Sequence, residues 1–177
     1  GGNIEIEANQ ISLRDGGIIE VDSDGSGNAG TIEIEASESL TLSGIANNGM
    51  PSAIYTDTFS QQTPAGKGGD IEIEARHLTL TDGGQITANT WGSGPGGLVR
   101  IKVTENLNIS KSRIENQALL SPKFSETSGI FARAYGGDPL AGDAGSVLIR
   151  AKTIQLVDGG KIATSAVLSG GGHLEIT

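Results

Sequence analysis

Apolar and polar residues alternate in short runs along the whole chain, and the runs recur. The pattern Gly-x-Ile-Glu-Ile-Glu-Ala begins at Gly2, Gly30 and Gly69. Weaker copies are Gly97-Leu-Val-Arg-Ile-Lys-Val, Gly145-Ser-Val-Leu-Ile-Arg-Ala and Gly172-His-Leu-Glu-Ile-Thr. Two further runs follow each copy. In the first unit they are Ile11-Ser12-Leu13 and Ile19-Glu20-Val21. In the third they are Leu78-Thr79-Leu80 and Ile86-Thr87-Ala88, and in the fifth Ile154-Gln155-Leu156 and Ile162-Ala163-Thr164. Alternation with a period of two marks strands with one buried face. The runs are too short for helices and are bounded by Gly, Asp, Asn and Ser.

Self-similarity at this interval predicts a stacked repeat. Three strands per unit predict an all-β, right-handed parallel β-helix of about six coils starting near residues 2, 30, 69, 97, 145 and 172. The basic period is roughly 28 residues, and the second and fourth coils are enlarged. At about 4.8 Å per coil the segment is on the order of 25–30 Å long. A leucine-rich repeat could give a similar period but lacks support, because its Leu-x-x-Leu-x-Leu frame is missing and nothing reads as a helix, and a β-sandwich would not repeat the same side chains at one offset. The first residues are already in repeat register, so residues 1–177 are expected to be one β-helix segment of a longer protein.

The corners differ between coils. Asp15-Gly16-Gly17, Asp82-Gly83-Gly84 and Asp158-Gly159-Gly160 mark the odd coils. There Gly is expected to supply left-handed backbone angles and Asp to bond its own downstream amides. The even coils carry one extra residue before the second run, and insertions at roughly 46–53 and 117–129. Loops leaving a solenoid at one edge are either interaction features or tolerated length variation.

Composition narrows the picture. Gly is abundant at 28 residues and aromatics make up only 3%, which suits a narrow core of Ile, Val, Leu and Ala. There is no Cys, hence no disulfide framework or thiolate metal site, as suits a secreted repeat protein that folds without oxidation. Residues 1–66 hold ten acids and one base, Arg14, while the remainder holds eleven of each. An acidic chain lacks the basic footprint that nucleic acid requires. No apolar run is long enough to span a membrane.

Stacking would place Glu5, Glu33 and Glu72 in one outward column and Glu7, Glu35 and Glu74 in another. Arg100 and Lys102 continue these columns, so ion pairs between the third and fourth coils are expected. A divalent cation on the acidic ladder is the alternative. Neither an EF-hand spacing nor the nonapeptide of calcium-binding β-rolls is present, so no metal site and no cofactor are assigned. If both insertions precede the third run, Ile54, Ile86, Ile130 and Ile162 align. Phe59, Trp91 and Tyr135 then share one position, and Tyr55 and Phe131 share another that faces outward by parity. These five aromatics are the candidate interaction surface, for sugar faces or for a protein, with shielding of a core corner as the structural alternative. Catalytic residues are not found. His77 and His173 occupy unrelated repeat positions, and Asp22 and Asp57 share a column with Asn89, Arg133 and Ser165 without forming a convincing acid pair. The chain is therefore not expected to be an enzyme.

The run Gly27-Asn28-Ala29-Gly30-Thr31-Ile32-Glu33-Ile34-Glu35-Ala36, with Leu78-Thr79-Leu80 and Asp82-Gly83-Gly84-Gln85-Ile86-Thr87-Ala88, resembles the repeats of filamentous-haemagglutinin-like exoproteins. These are the secreted members of two-partner secretion systems in Gram-negative bacteria. The resemblance covers essentially the whole chain as repeats. It implies a right-handed β-helix shaft, extracellular or on the outer cell surface, exported through an outer-membrane β-barrel transporter and acting in adhesion, aggregation or biofilm formation. The secretion motif with Asn-Pro-x-Gly is not in this sequence, so no transporter-binding residue is carried over. Expected partners are a glycan or protein on a host or neighbouring cell. Two other functions remain open: a carbohydrate-binding or polysaccharide-processing β-helix, and a fibre or sheath subunit that stacks end to end.

Overall fold

The computed structural model describes residues 1–59, 65–110, 127–136 and 142–177. These residues are all-β, with no helix among them. Eleven strands form two parallel sheets, an arrangement compatible with a parallel β-solenoid. The larger sheet has six strands, β1 (Ile4–Arg14), β3 (Thr31–Ser43), β5 (Asp70–Thr81), β7 (Leu98–Ser110), β9 (Ser146–Leu156) and β11 (Leu174–Ile176), paired in that order. The smaller has five, β2 (Ile18–Glu20), β4 (Ala53–Tyr55), β6 (Gln85–Thr87), β8 (Gly129–Ala134) and β10 (Lys161–Ala166). The chain passes from one sheet to the other and back, so each strand pairs with the strand one coil on.

The register follows the repeat. Ile4, Ile32, Ile71, Val99 and Val147 are successive Cα partners, as are Ile19, Ile54, Ile86, Ile130 and Ile162. Both insertions therefore precede the third run. The three-strand expectation needs correction. The first two runs of each coil form one strand of 11–13 residues, broken only by a register shift, for instance between Ala8 and Gln10. One residue spans the shift in the odd coils (Asn9, Arg76, Lys152) and two in the even coils (Ser37-Glu38, Thr104-Glu105). A gap this small acts as a β-bulge, which bends a strand without ending it.

The inward side chains form a continuous column between the sheets. Ile32, Leu40, Leu42, Ile54, Ile71, Leu78, Leu80, Ile86, Val99, Leu107, Ile109 and Ile130 are fully buried. Ile4, Ile6, Ile11, Leu13 and Ile19 in the first coil are half-buried, since within the chain that coil has a neighbour on one side only.

Glycine lets the coils approach. A Cβ on Gly30, Gly97, Gly145 or Gly172 would lie 1.6–2.0 Å from the carbonyl oxygen of the coil-start glycine one coil earlier. No such contact is physically possible, so the leading Gly of the repeat is a spatial requirement. The Asp-Gly-Gly corners combine two demands. Asp15, Asp82 and Asp158 take φ of 48–52°, and Gly16, Gly83 and Gly159 take φ of 87–93°. Positive φ at both central residues is the type I′ pattern, closed by Gly17 N–H donating to the Arg14 carbonyl at 2.9 Å and by its equivalents at Gly84 and Gly160. Asp thus takes the left-handed conformation itself, which Asp tolerates better than most residues. The second Gly of the corner makes room instead. A Cβ on Gly84 or Gly160 would sit 2.3 Å from the carbonyl of Leu42 or Ile109.

The first insertion is a small hairpin. Ile45 and Pro51 form an antiparallel bridge, Gly49 N–H donates to the Ala46 carbonyl at 2.9 Å, and Ala46 N–H donates to the Met50 carbonyl at 2.8 Å. Gly49 has φ of 84°, as a three-residue hairpin loop requires. Most of the second insertion, residues 117–126, lies outside the described residues. The described ends of both insertions serve the same purpose. Gly16 N–H donates to Ser52 Oγ at 3.1 Å and Gly83 N–H to Ser128 Oγ at 2.9 Å, and Ser52 Oγ donates to the Ser43 carbonyl at 2.7 Å. Each enlarged coil therefore ties down the Asp-Gly corner of the compact coil before it. Ser52→Ala leaves a backbone N–H and carbonyl without this partner at a fully buried position. It is expected to lower stability by about 1–3 kcal/mol, read as a shift in the urea midpoint at unchanged m-value.

Candidate interaction surface

The structure places all five predicted aromatics at the smaller sheet and the corner after it, in two groups. Phe59, Trp91 and Tyr135 follow an isolated parallel ladder, Ser23–Thr58–Thr90–Ala134. Their N–H groups donate to the carbonyls of Ser23, Thr58 and Thr90 at 2.8–2.9 Å, which fixes one ring per coil. The rings stack: Phe59 and Trp91 centroids are 6.0 Å apart at 24°, and Trp91 and Tyr135 are 4.3 Å apart at 20°. Both faces of Trp91 are thus occupied by its neighbours. Asp24 and Val167 take the corresponding positions in the first and fifth coils. All three rings are half-exposed, in a row along one corner. Each stacked pair contributes about 0.5–1.5 kcal/mol beyond its buried area. Trp91→Leu is therefore expected to cost about 1–2 kcal/mol in chemical denaturation, with the sheets retained in far-ultraviolet circular dichroism.

Tyr55 and Phe131 differ from expectation. Both lie on the outer side of the smaller sheet, where parity puts them, yet both are buried. Phe131 lies across Gly129, where a Cβ would meet its ring at 2.4 Å. The Arg133 guanidinium lies over the ring, 3.6 Å from its centroid, and donates to the Tyr135 hydroxyl at 3.0 Å. This cation–π contact joins the two aromatic groups. Tyr55 packs with Ala53, Ile18 and Met50 and donates its hydroxyl proton to Glu20. Parity alone could not foresee this cover, which comes from tertiary neighbours. Gly129, where the other coils have Ile18, Ala53, Gln85 and Lys161, was the available signal.

Burial and then the Glu20 hydrogen bond push the Tyr55 hydroxyl well above the ordinary tyrosine range. A raised folded value means that the neutral form contributes stability. That contribution is complete below about pH 10, the unfolded value, and is lost as pH rises above it. The urea midpoint is expected to fall above that pH, and to fall less in Tyr55→Phe.

Asp22 and Asp57 belong to a ladder of side-chain to backbone contacts. Asp22 Oδ1 accepts from Asp57 N–H at 3.1 Å, Asp57 Oδ1 from Asn89 N–H at 3.2 Å, and Asn89 Oδ1 from Arg133 N–H at 3.3 Å. This Asx ladder satisfies backbone donors at the corner where the smaller sheet ends. Asp and Asn recurring at one offset was its signal in the sequence. The Glu columns are exposed, and Glu72–Arg100 and Glu74–Lys102 pair at 3.7 and 2.8 Å, as expected. Exposed pairs of this kind add at most about 1 kcal/mol each. Lys152 bonds Glu105 at 2.8 Å and holds its carboxyl below the usual range. No group of three or more metal-binding side chains occurs among the described residues. His77 lies 3.4 Å from Asn106 Nδ2 and His173 3.5 Å from Glu175, far apart in the stack.

Compared with protein-family models, curated proteins and solved structures, the chain shows no match. Any function must therefore be argued from the geometry and from the resemblance of its repeats.

Proposed function

We propose that the chain is a shaft segment of a secreted or surface-attached bacterial exoprotein, a right-handed β-helix that displays loops and corner residues for adhesion or aggregation. The observation that carries this reading is the parallel pairing of the larger sheet, strand on strand, through six coils. A stack of this kind places its features at fixed heights along an axis. Export through an outer-membrane β-barrel partner belongs to the same proposal and rests on the resemblance of the repeats. In this reading the hairpin at 46–50 and the aromatic corner are the features held out from the shaft.

The test is adhesion. Beads coated with the chain should bind bacterial or host cells above the level of beads coated with an unrelated acidic protein, and the soluble chain should compete. Release of reducing sugar from any polysaccharide would overturn the proposal in favour of a processing enzyme. Binding on a glycan array that is lost in Trp91→Leu would favour the carbohydrate-binding reading, although the occupied faces of Trp91 leave only ring edges for a sugar.

A further inference from the structure

The hairpin of the second coil carries a chemical feature that the shaft reading does not use. Nine residues of the chain are Asn, and only Asn48 is followed by Gly. Asn47 and Asn48 form the tip of the hairpin and are exposed, whereas Asn89 is buried within the Asx ladder. A glycine on the carboxyl side leaves the peptide nitrogen unshielded by a side chain. The local hydrogen bonds act on the two reacting groups. Asn48 Oδ1 accepts the Met50 N–H at 3.1 Å, which folds the side-chain amide back over the Gly49 peptide. That same N–H points at the oxygen on which negative charge develops when the amide carbon is attacked. The opposing contact is Gly49 N–H to the Ala46 carbonyl at 2.9 Å, which must open before the nitrogen can lose its proton.

We propose that Asn48 is a site of spontaneous deamidation. The Gly49 peptide nitrogen, having lost its proton to hydroxide, attacks Cγ of Asn48. The new C–N bond closes a five-membered imide, the Cγ–NH2 bond breaks, and ammonia leaves with a proton from water. A second water then opens the imide at either carbonyl. One opening gives an aspartyl residue in the normal backbone, and the other gives an isoaspartyl linkage through the β-carbon. No oxidant or cofactor enters. Either product adds one negative charge to the hairpin tip. The isoaspartyl product also lengthens the main chain between the residues that make the Gly49–Ala46 and Ala46–Met50 bonds, and so loosens the hairpin against the Gly16 corner, where Ala46 packs.

The test is a time course of the intact chain at 37 °C, at neutral and mildly alkaline pH, in water enriched in oxygen-18. Peptide mapping should locate ammonia loss and label uptake at residue 48, with isoaspartate there detected by a protein isoaspartyl methyltransferase. Conversion should accelerate with hydroxide concentration and outpace that at every other Asn. Asn48→Gln should abolish it, and mild urea that opens the hairpin without unfolding the sheets should speed it. An Asn48 peptide that stays unmodified while Asn28 or Asn47 converts would overturn the proposal, as would a rate that does not respond to pH. The wild-type time course decides the question even if the variant folds poorly.

Discussion

Gly97→Val is expected to be among the most damaging single substitutions in this protein. The first atom it adds would lie 1.8 Å from the Gly69 carbonyl oxygen and 2.7 Å from its carbon. Both belong to the backbone immediately before β5, so no side chain can swing away. Relief requires the coils to separate, which stretches the hydrogen bonds on either side. Overpacked side chains in cores usually cost about 1–3 kcal/mol because neighbours move. Here the obstacle is main chain, and a loss of about 4 kcal/mol or more is expected. Gly25→Ala is the matched control. A Cβ there meets nothing within 4 Å, and stability should stay within about 0.5 kcal/mol of wild type. Urea denaturation of both variants checks the pair. Equal midpoints would mean that the coils do not stack at this spacing.

Ile101→Ala should have the next largest effect. Ile101 points between the sheets in the fourth coil, is 1% exposed, and pairs in register with Ile73 and Ile149. Truncation removes three carbons from a site covered above and below, so the cavity cannot collapse fully. The expected cost is about 2–5 kcal/mol. The same truncation at Ile6 is less harmful, since Ile6 is half-buried in the first coil. An identical chemical change should therefore be graded by its height in the stack, read as urea midpoints at constant m-value. A globular core would not produce that gradient along one column of equivalent isoleucines.

These two predictions rest on the residues that were most legible in the sequence. Inward Ile, Val and Leu announce themselves by alternation, and the period gives the partner of each. The aromatic row at Phe59, Trp91 and Tyr135 was legible for the same reason: once the insertions are placed before the third run, register alone brings the rings together. Three things were not legible. The first two runs of each coil read as separate strands, because a one- or two-residue bulge looks like a turn in sequence. Ser52 and Ser128 looked like ordinary loop residues, because what they bond is the amide of a corner one coil away and 36 or 45 residues earlier. Tyr55 and Phe131 looked exposed, because parity reports which side of a sheet a residue occupies and says nothing of what covers that side. The Glu columns are the reverse case. They dominate the visible repeat, yet the exposed pairs they form add little to stability.

The most direct test of the stacked register is a set of distances along one outward column. Ser12, Thr41, Thr79, Asn108 and Gln155 are successive Cα partners in the larger sheet. Spin labels at Ser12 and Asn108, and at Ser12 and Gln155, should report distances that increase by about 4.8 Å per coil, to about 14 and 19 Å before the label arms are added. Separations that do not rise in equal steps along this column, or that fall when a coil is added, would contradict the account.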